Sequence, residues 1–188
     1  MEKLHSNITQ CLKFITEDCK SYSTAVDEGL SHVKLLVAHL TTLKKIKDSY
    51  IEDTCFYEID PDAKRKLQNC IRKEILIEKS AIQKILTDVE IIHNNIIKQC
   101  DRIFNMYRSG VQYNVTLTDI SETDELSCSI AEKIEALDTF KRTFINNHNG
   151  RKFTIDYCTF DGNLENITGC WKTSDISLAL KELALILS

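Results

Sequence analysis

Apolar residues recur in the first part of the chain at Ile8, Leu12, Ile15, Cys19, Tyr22, Val26, Gly29, Val33, Leu36, Leu40 and Leu43. Spacings that alternate four and three are the period of a helix with one apolar stripe, and they predict a helix from about Lys3 to about Lys47. Gly29 falls on the stripe, where it costs about 1 kcal/mol of helix propensity relative to alanine. It marks either a weak point or a close helix crossing, and the crossing is the favoured reading.

The period is lost over 48–59. Asp60-Pro61 then supplies an N-cap acceptor followed by a proline at the first helical position. A second stripe follows at Ile71, Ile75, Glu78, Ile82, Ile85, Val89, Ile92, Ile96, Gln99, Ile103 and Met106. It predicts a second helix over about 61–109, ended by Ser109-Gly110. At about 1.5 Å per residue each of these helices is roughly 65 to 70 Å long. Glu78 and Gln99 stand where isoleucine would pack better. Such residues either fix register and partner choice at a cost in stability, or sit at the edge of the stripe and reach water, which is the plainer reading.

After a polar, β-branched stretch, Ser121 and Asp124 form an S-x-x-D capping pattern that opens a third helix, over about 122–158. Leu126, Ile130, Ile134, Leu137, Phe140 and Phe144 face its core. Asn146 to Gly150 is a weak spot, after which Phe153, Ile155 and Tyr157 resume an apolar pattern. Phe160-Asp161-Gly162-Asn163 reads as a turn. Ser174 or Asp175 then caps a short helix over about 175–187, whose leucines cover much of its circumference and call for burial. The expected fold is all-α: one domain over 1–188, an elongated bundle of three long amphipathic helices with coiled-coil-like seams plus a short C-terminal helix.

One proline and five glycines in 188 residues agree with long uninterrupted helices. The formal charge of −4 gives no reason to expect nucleic-acid binding. Lys64-Arg65-Lys66, with Lys73, is a short basic cluster of the kind that is usually solvated, and it sits at a helix start, where the dipole disfavours positive charge. Charge is uneven: 61–110 hold ten Lys/Arg against six Asp/Glu, and 111–188 hold seven against twelve. Solvated helix faces commonly look like this. The opening MEKLHSNITQCLKF lacks the unbroken apolar segment of a signal peptide, and no run reaches membrane-spanning length. The expected location is the cytosol and nucleus. In that setting the eight cysteines, far apart and without a CxxC pair, read as reduced thiols. The sequons at Asn7, Asn114 and Asn166 are then not expected to carry glycans.

The chain has no Gly-rich phosphate loop, HExxH, GxSxG or kinase signature. His32 and His39 lie two turns apart, too far to share a metal ion. His148, Cys158 and Cys170 match no common zinc spacing and lack an evident fourth ligand. The reading is therefore non-enzymatic, with no catalytic residue, metal or cofactor. A cysteine nucleophile, Cys158 with His148, ranks behind it, because it needs a depressed thiol pKa in an electropositive pocket. The informative residue is Trp171, the single tryptophan. With Phe160, Leu164, Asn166 and Ile167 it forms an apolar segment after a turn. Such segments serve either as partner anchors or as intramolecular plugs, and the residues alone do not choose.

This order of elements resembles the AFG-two-interacting ribosome maturation factor (AIRIM) family. The resemblance rests on a long first helix, a second basic helix ending in Ile103-Phe-Asn-Met-Tyr107, and a third helix. The Leu164-Glu-Asn166-Ile167 and Trp171 segment then precedes an apolar C-terminal helix. It covers nearly the whole chain and departs at Gly169-Cys170, where a proline-containing approach to the tryptophan is expected. The resemblance implies a non-catalytic adaptor subunit in an assembly of Cdc48-like tandem AAA ATPases. Its helical partner would resemble the cyclin-dependent-kinase-two-interacting protein. Such an assembly releases a placeholder factor from cytoplasmic precursors of the large ribosomal subunit and also acts in protein turnover at chromatin. The alternative is a helical-bundle subunit of a membrane-tethering or kinetochore complex.

Overall fold

The computed structural model describes residues 2–50, 55–112, 129–156, 158, 164–172 and 181. The fold is all-α: helix accounts for 94% of these residues, and no strand occurs among them. In chain order the helices are α1 (Glu2–Asp48), α2 (Cys55–Ile59), α3 (Ala63–Gln112), α4 (Ile130–Asp156) and α5 (Leu164–Trp171). No helix among the described residues is long and apolar enough to cross a membrane.

α1 follows from its stripe. All eleven seam positions, Ile8 through Leu43, are buried, and Gly29 is among them. The stretch 48–59, which has no period, contains the one-turn helix α2. Asp60 then caps the start of α3: its Oδ1 accepts the Asp62 amide at 3.1 Å, and its Oδ2 accepts Lys66 Nζ at 2.8 Å. The Lys66 ammonium holds the Asp60 carboxyl below its usual range.

The α3 stripe runs one residue away from the expected one in three places. Leu86, His93 and Cys100 are buried, whereas Ile85, Ile92 and Gln99 are only half-buried. The row through Ile82, Val89 and Ile96 stays in register, and its companion row stands four residues further on in place of three, at Leu86, His93 and Cys100, where hydropathy does not mark a histidine as a seam residue. Glu78 lies on the seam at 9% exposure, which corrects the edge reading. α3 also runs past Ser109-Gly110 to Gln112, because an interior glycine weakens a helix without ending it.

α4 is continuous through Asn146 to Gly150. Its expected cap at Ser121 and Asp124 lies outside the described residues, as do Leu126, Tyr157, the turn over 160–163 and, apart from helical Lys181, the final helix over 175–187. The start seen at Ile130 is a capping box made by Ser129 and Glu132. The Ser129 amide and hydroxyl donate to Glu132 Oε2 at 2.8 and 2.9 Å, and the Glu132 amide donates back to Ser129 Oγ at 3.2 Å. Ser129→Ala should lower stability by about 1 kcal/mol, read as a denaturant midpoint shift at unchanged m value. The bonds from Ser129 depress the Glu132 pKa. Their contribution is therefore present above the ordinary Glu pKa and lost as pH falls, so the difference between wild type and variant should shrink in acid.

The helices pack into two compact units, neither contiguous in sequence. One comprises Met1–Thr24, Val89–Asn149 and Thr173–Ser188, the other Ala25–Asp88 and Gly150–Lys172.

In the first unit an aromatic cluster fills the core. Tyr22 of α1, His93 of α3, and Phe140, Phe144 and His148 of α4 are all buried. The His93 ring stacks on His148 at 4.2 Å between centroids and on Phe144 at 5.1 Å, and the Tyr22 hydroxyl lies 3.3 Å from His148 Nδ1. Cys19 and Cys100 are buried in the same unit. Burial pushes the Cys19 thiol up to about 12, reinforced by Cys100 and Asp18. It does the same to Cys100, to about 12, against a partial offset from Lys141. A thiol held neutral in the fold but free to ionise near pH 8.5 once unfolded stabilises fully below that pH, and that stability is lost as pH rises towards 12. Alkylation at pH 8, mapped by mass spectrometry, should therefore label exposed Cys55, Cys70 and Cys170 within minutes, and Cys19 and Cys100 only as fast as the protein unfolds.

Candidate functional site

Leu164 to Trp171, read from the sequence as an apolar segment after a turn, forms a helix. Ile167 and Trp171 are four residues apart and share the buried face, whereas Asn166 is exposed and Leu164 half-buried. Phe160 lies outside the described residues.

The Trp171 indole is 1% exposed and lies against the backbone of α1. Its Nε1 donates to the Val26 carbonyl at 2.8 Å. Gly29, three residues on and so on the same face of α1, leaves the space that the ring fills. A Cβ at Gly29 would stand 2.5 Å from Trp171 Cζ2 and 3.3 Å from Cε2, with Ile85 Cγ2 at 3.4 Å. The glycine on the α1 stripe is thus a notch for an indole. Neither Gly150 nor Gly169 plays such a part, since a Cβ at either meets nothing within 4 Å.

Arg151 completes the site from α4. It is fully buried, and its Nε donates to the Trp171 carbonyl at 3.1 Å. The carbonyls at the end of a helix lack intrahelical donors, and a cation there also meets the favourable end of the helix dipole. Sequence reasoning missed this residue. The signal was its register: Phe144, His148, Arg151 and Ile155 continue the four-three alternation of the α4 seam, and all are buried. Phe153, named for its hydropathy, is off that register and 62% exposed. Lys79 Nζ donates to the Cys158 carbonyl at 3.1 Å and ties the chain beyond α4 to α3.

The second unit also holds a part-buried histidine–carboxylate pair. His32 Nδ1 lies 2.7 Å from Glu78 Oε2, and since a carboxylate only accepts, Nδ1 carries the proton. This bond is what allows Glu78 to lie on an apolar seam.

The other candidate groups do not converge. No group of three or more His, Cys, Asp or Glu among the described residues is placed to hold a metal ion. Cys158 is buried and Cys170 exposed. Burial raises the Cys158 thiol, opposite to what a nucleophile needs, though Lys79 offsets part of it. The basic cluster is engaged locally: Lys64 Nζ donates to the Ser49 carbonyl at 2.6 Å, Arg65 pairs with Asp62 at 3.1 Å, and Lys66 pairs with Asp60 at 2.8 Å. A groove of about 370 Å³ between α3 and α4 is lined by Asp101, Phe104, Asn105, Arg108, Asp138 and Lys141. Its Lys141 is held by Asp101 at 2.5 Å and stands 5.6 Å from the centre of the Phe104 ring.

No protein-family model matches the chain, and no curated protein is significantly similar to it.

The geometry of the site is that of a socket around one tryptophan. It offers a glycine notch, one carbonyl acceptor and one buried guanidinium, and these take up the ring, the N–H and the main-chain carbonyl of a single tryptophan.

Proposed function

We propose that the chain is a non-catalytic adaptor that docks partner proteins along its helices. The carrying observation is that α1 and α3, of 47 and 50 residues, each bury one seam and leave about half of their described residues exposed. Among the described residues the outward positions include large apolar side chains such as Leu35, Leu76, Ile77 and Ile91. Long helices with one face spent on their own core suit the presentation of further faces to other helices.

The finer reading rests on the AIRIM-like order of elements. It makes the chain a cytoplasmic and nuclear subunit of a tandem AAA ATPase assembly that matures the large ribosomal subunit, next to a helical partner resembling the cyclin-dependent-kinase-two-interacting protein. In that assembly the ATPases carry the chemistry, and contact with ribosomal precursors is indirect.

Affinity purification of the full chain from native lysate tests this. The expected result is co-recovery of a tandem AAA ATPase, with no ATP hydrolysis by the purified chain alone. Recovery of tethering or kinetochore proteins in its place overturns the assignment in favour of the alternative, and intrinsic ATP turnover overturns the non-catalytic reading.

A further inference from the structure

Among the described residues, few side chains hold α5. Ile167 and Trp171 are buried, while Asn166, Gly169 and Cys170 are exposed and Leu164 is half-buried. Eight residues that include Asn166, Thr168 and Gly169 do not sustain a helix in water. α5 is helical because it is docked, so its folding and its docking are one event.

The surface beneath it meets the ring and both polar groups of Trp171. Packing alone needs the space above Gly29. This surface also presents the Val26 carbonyl to the indole N–H and the buried Arg151 guanidinium to the main-chain carbonyl of the same residue. Ring, N–H and helix-terminal carbonyl are each matched by a separate group. Gly29 moreover weakens α1 in mid-helix, a cost that the close approach of the indole offsets.

Resting on the reading of the chain as a docking subunit, we propose that this socket is an exchangeable receptor for a helix ending on tryptophan. α5 occupies it in the free chain, and local opening of α5 vacates it for the equivalent residue of a partner helix. Elements with few buried contacts open at a smaller free energy than the whole domain, and binding segments are drawn from them. The occupant is defined by what the socket matches: an indole, its N–H and a C-terminal carbonyl.

Trp171 is the single tryptophan, so its emission reports the socket alone. In native-state hydrogen exchange of the full chain the α5 amides should open at a lower free energy than the seam amides of α1 and α3. Hydrogen exchange of the α5 amides only at the free energy of global unfolding overturns the proposal, because it places α5 in the global cooperative unit. Exchange is tested on full-length Trp171→Ala, which has no tryptophan of its own. A synthetic peptide of residues 161–173 should bind it with a Kd below about 1 mM, its emission moving to shorter wavelength. The same peptide carrying alanine for its tryptophan, followed by anisotropy of an N-terminal dye, should bind at least about tenfold more weakly, and so should the intact peptide when the protein also carries Gly29→Ala. Absence of binding, or equal binding without the tryptophan, overturns the receptor. Should Trp171→Ala not fold, Trp171→Phe keeps a ring in the notch without the N–H donor, and the same comparisons apply. ATPase recovery by the wild-type chain is scored separately, so recovery without exchange fails the receptor alone, whereas exchange without recovery fails the adaptor assignment.

Discussion

Replacing Trp171 by alanine should lower the unfolding free energy by about 3 kcal/mol, the low end of the range for truncating a buried aromatic. The loss combines the vacated notch at Gly29, the hydrogen bond to the Val26 carbonyl and the docking of α5. It stays at the low end because α5 can leave while the longer helices keep their seams. The thermal midpoint should therefore fall by several degrees, with a small loss of far-UV helicity that matches one short helix. An interface anchor behaves differently, losing partner binding at an unchanged midpoint, since hot-spot residues act on the complex and not on the fold. With the indole 1% exposed, the midpoint is expected to move. A variant as stable as the wild type would falsify the enclosed placement.

Gly29→Ala should destabilise even though alanine is the better helix former. A helix-interior glycine normally gives up about 1 kcal/mol to alanine. Here the added methyl meets the Trp171 ring at 2.5 Å, and that ring is pinned by its own hydrogen bond. Overpacking against a rigid group of this kind costs about 1 to 3 kcal/mol, so the net effect is a loss. The sign should reverse in the Trp171→Ala background, where the methyl enters vacated space and the substitution gains about 1 kcal/mol. Gly150→Ala is the control. Its Cβ meets nothing within 4 Å, so the helical gain should be seen undiminished. A double-mutant cycle by urea denaturation measures all of these, and additivity of Gly29→Ala with Trp171→Ala would remove the notch from the account.

The long helices were legible because their seams are apolar and regular. α1 is the plainest case, with Ile8 to Leu43 all buried as spaced. α3 was legible as a helix and less so as a surface. His93 and Cys100 carry its seam, and Glu78 stays on it through a bond to His32, which is 46 residues away and so invisible to a local period. The start of α4 seen at Ile130 was readable, since Ser129-Ile-Ala-Glu132 is an S-x-x-E capping pattern. The candidate site was legible in its residues and not in its conformation. Trp171, Ile167 and Gly29 stand out by type, yet Asn166 and Gly169 favour a turn on local grounds, and only docking makes them helical. Arg151 was hidden because a guanidinium in a polar stretch reads as solvated, although its register places it inside.

The layout of the chain governs how binding to it can be mapped. One compact unit is assembled from Ala25–Asp88 and Gly150–Lys172, and the other from three stretches that include Val89–Asn149. No single cut in the polypeptide yields either of them whole. A terminal deletion that removes Trp171 also removes the 173–188 segment assigned to the other unit, and a fragment beginning after Thr24 strips the first unit of Tyr22 and the seam residues before it. Loss of binding in nested truncations will therefore report broken cores as readily as missing contacts. A map built on them will assign one partner to every region at once, and surface point substitutions at outward positions such as Leu76 or Ile91 are the means of telling contacts apart.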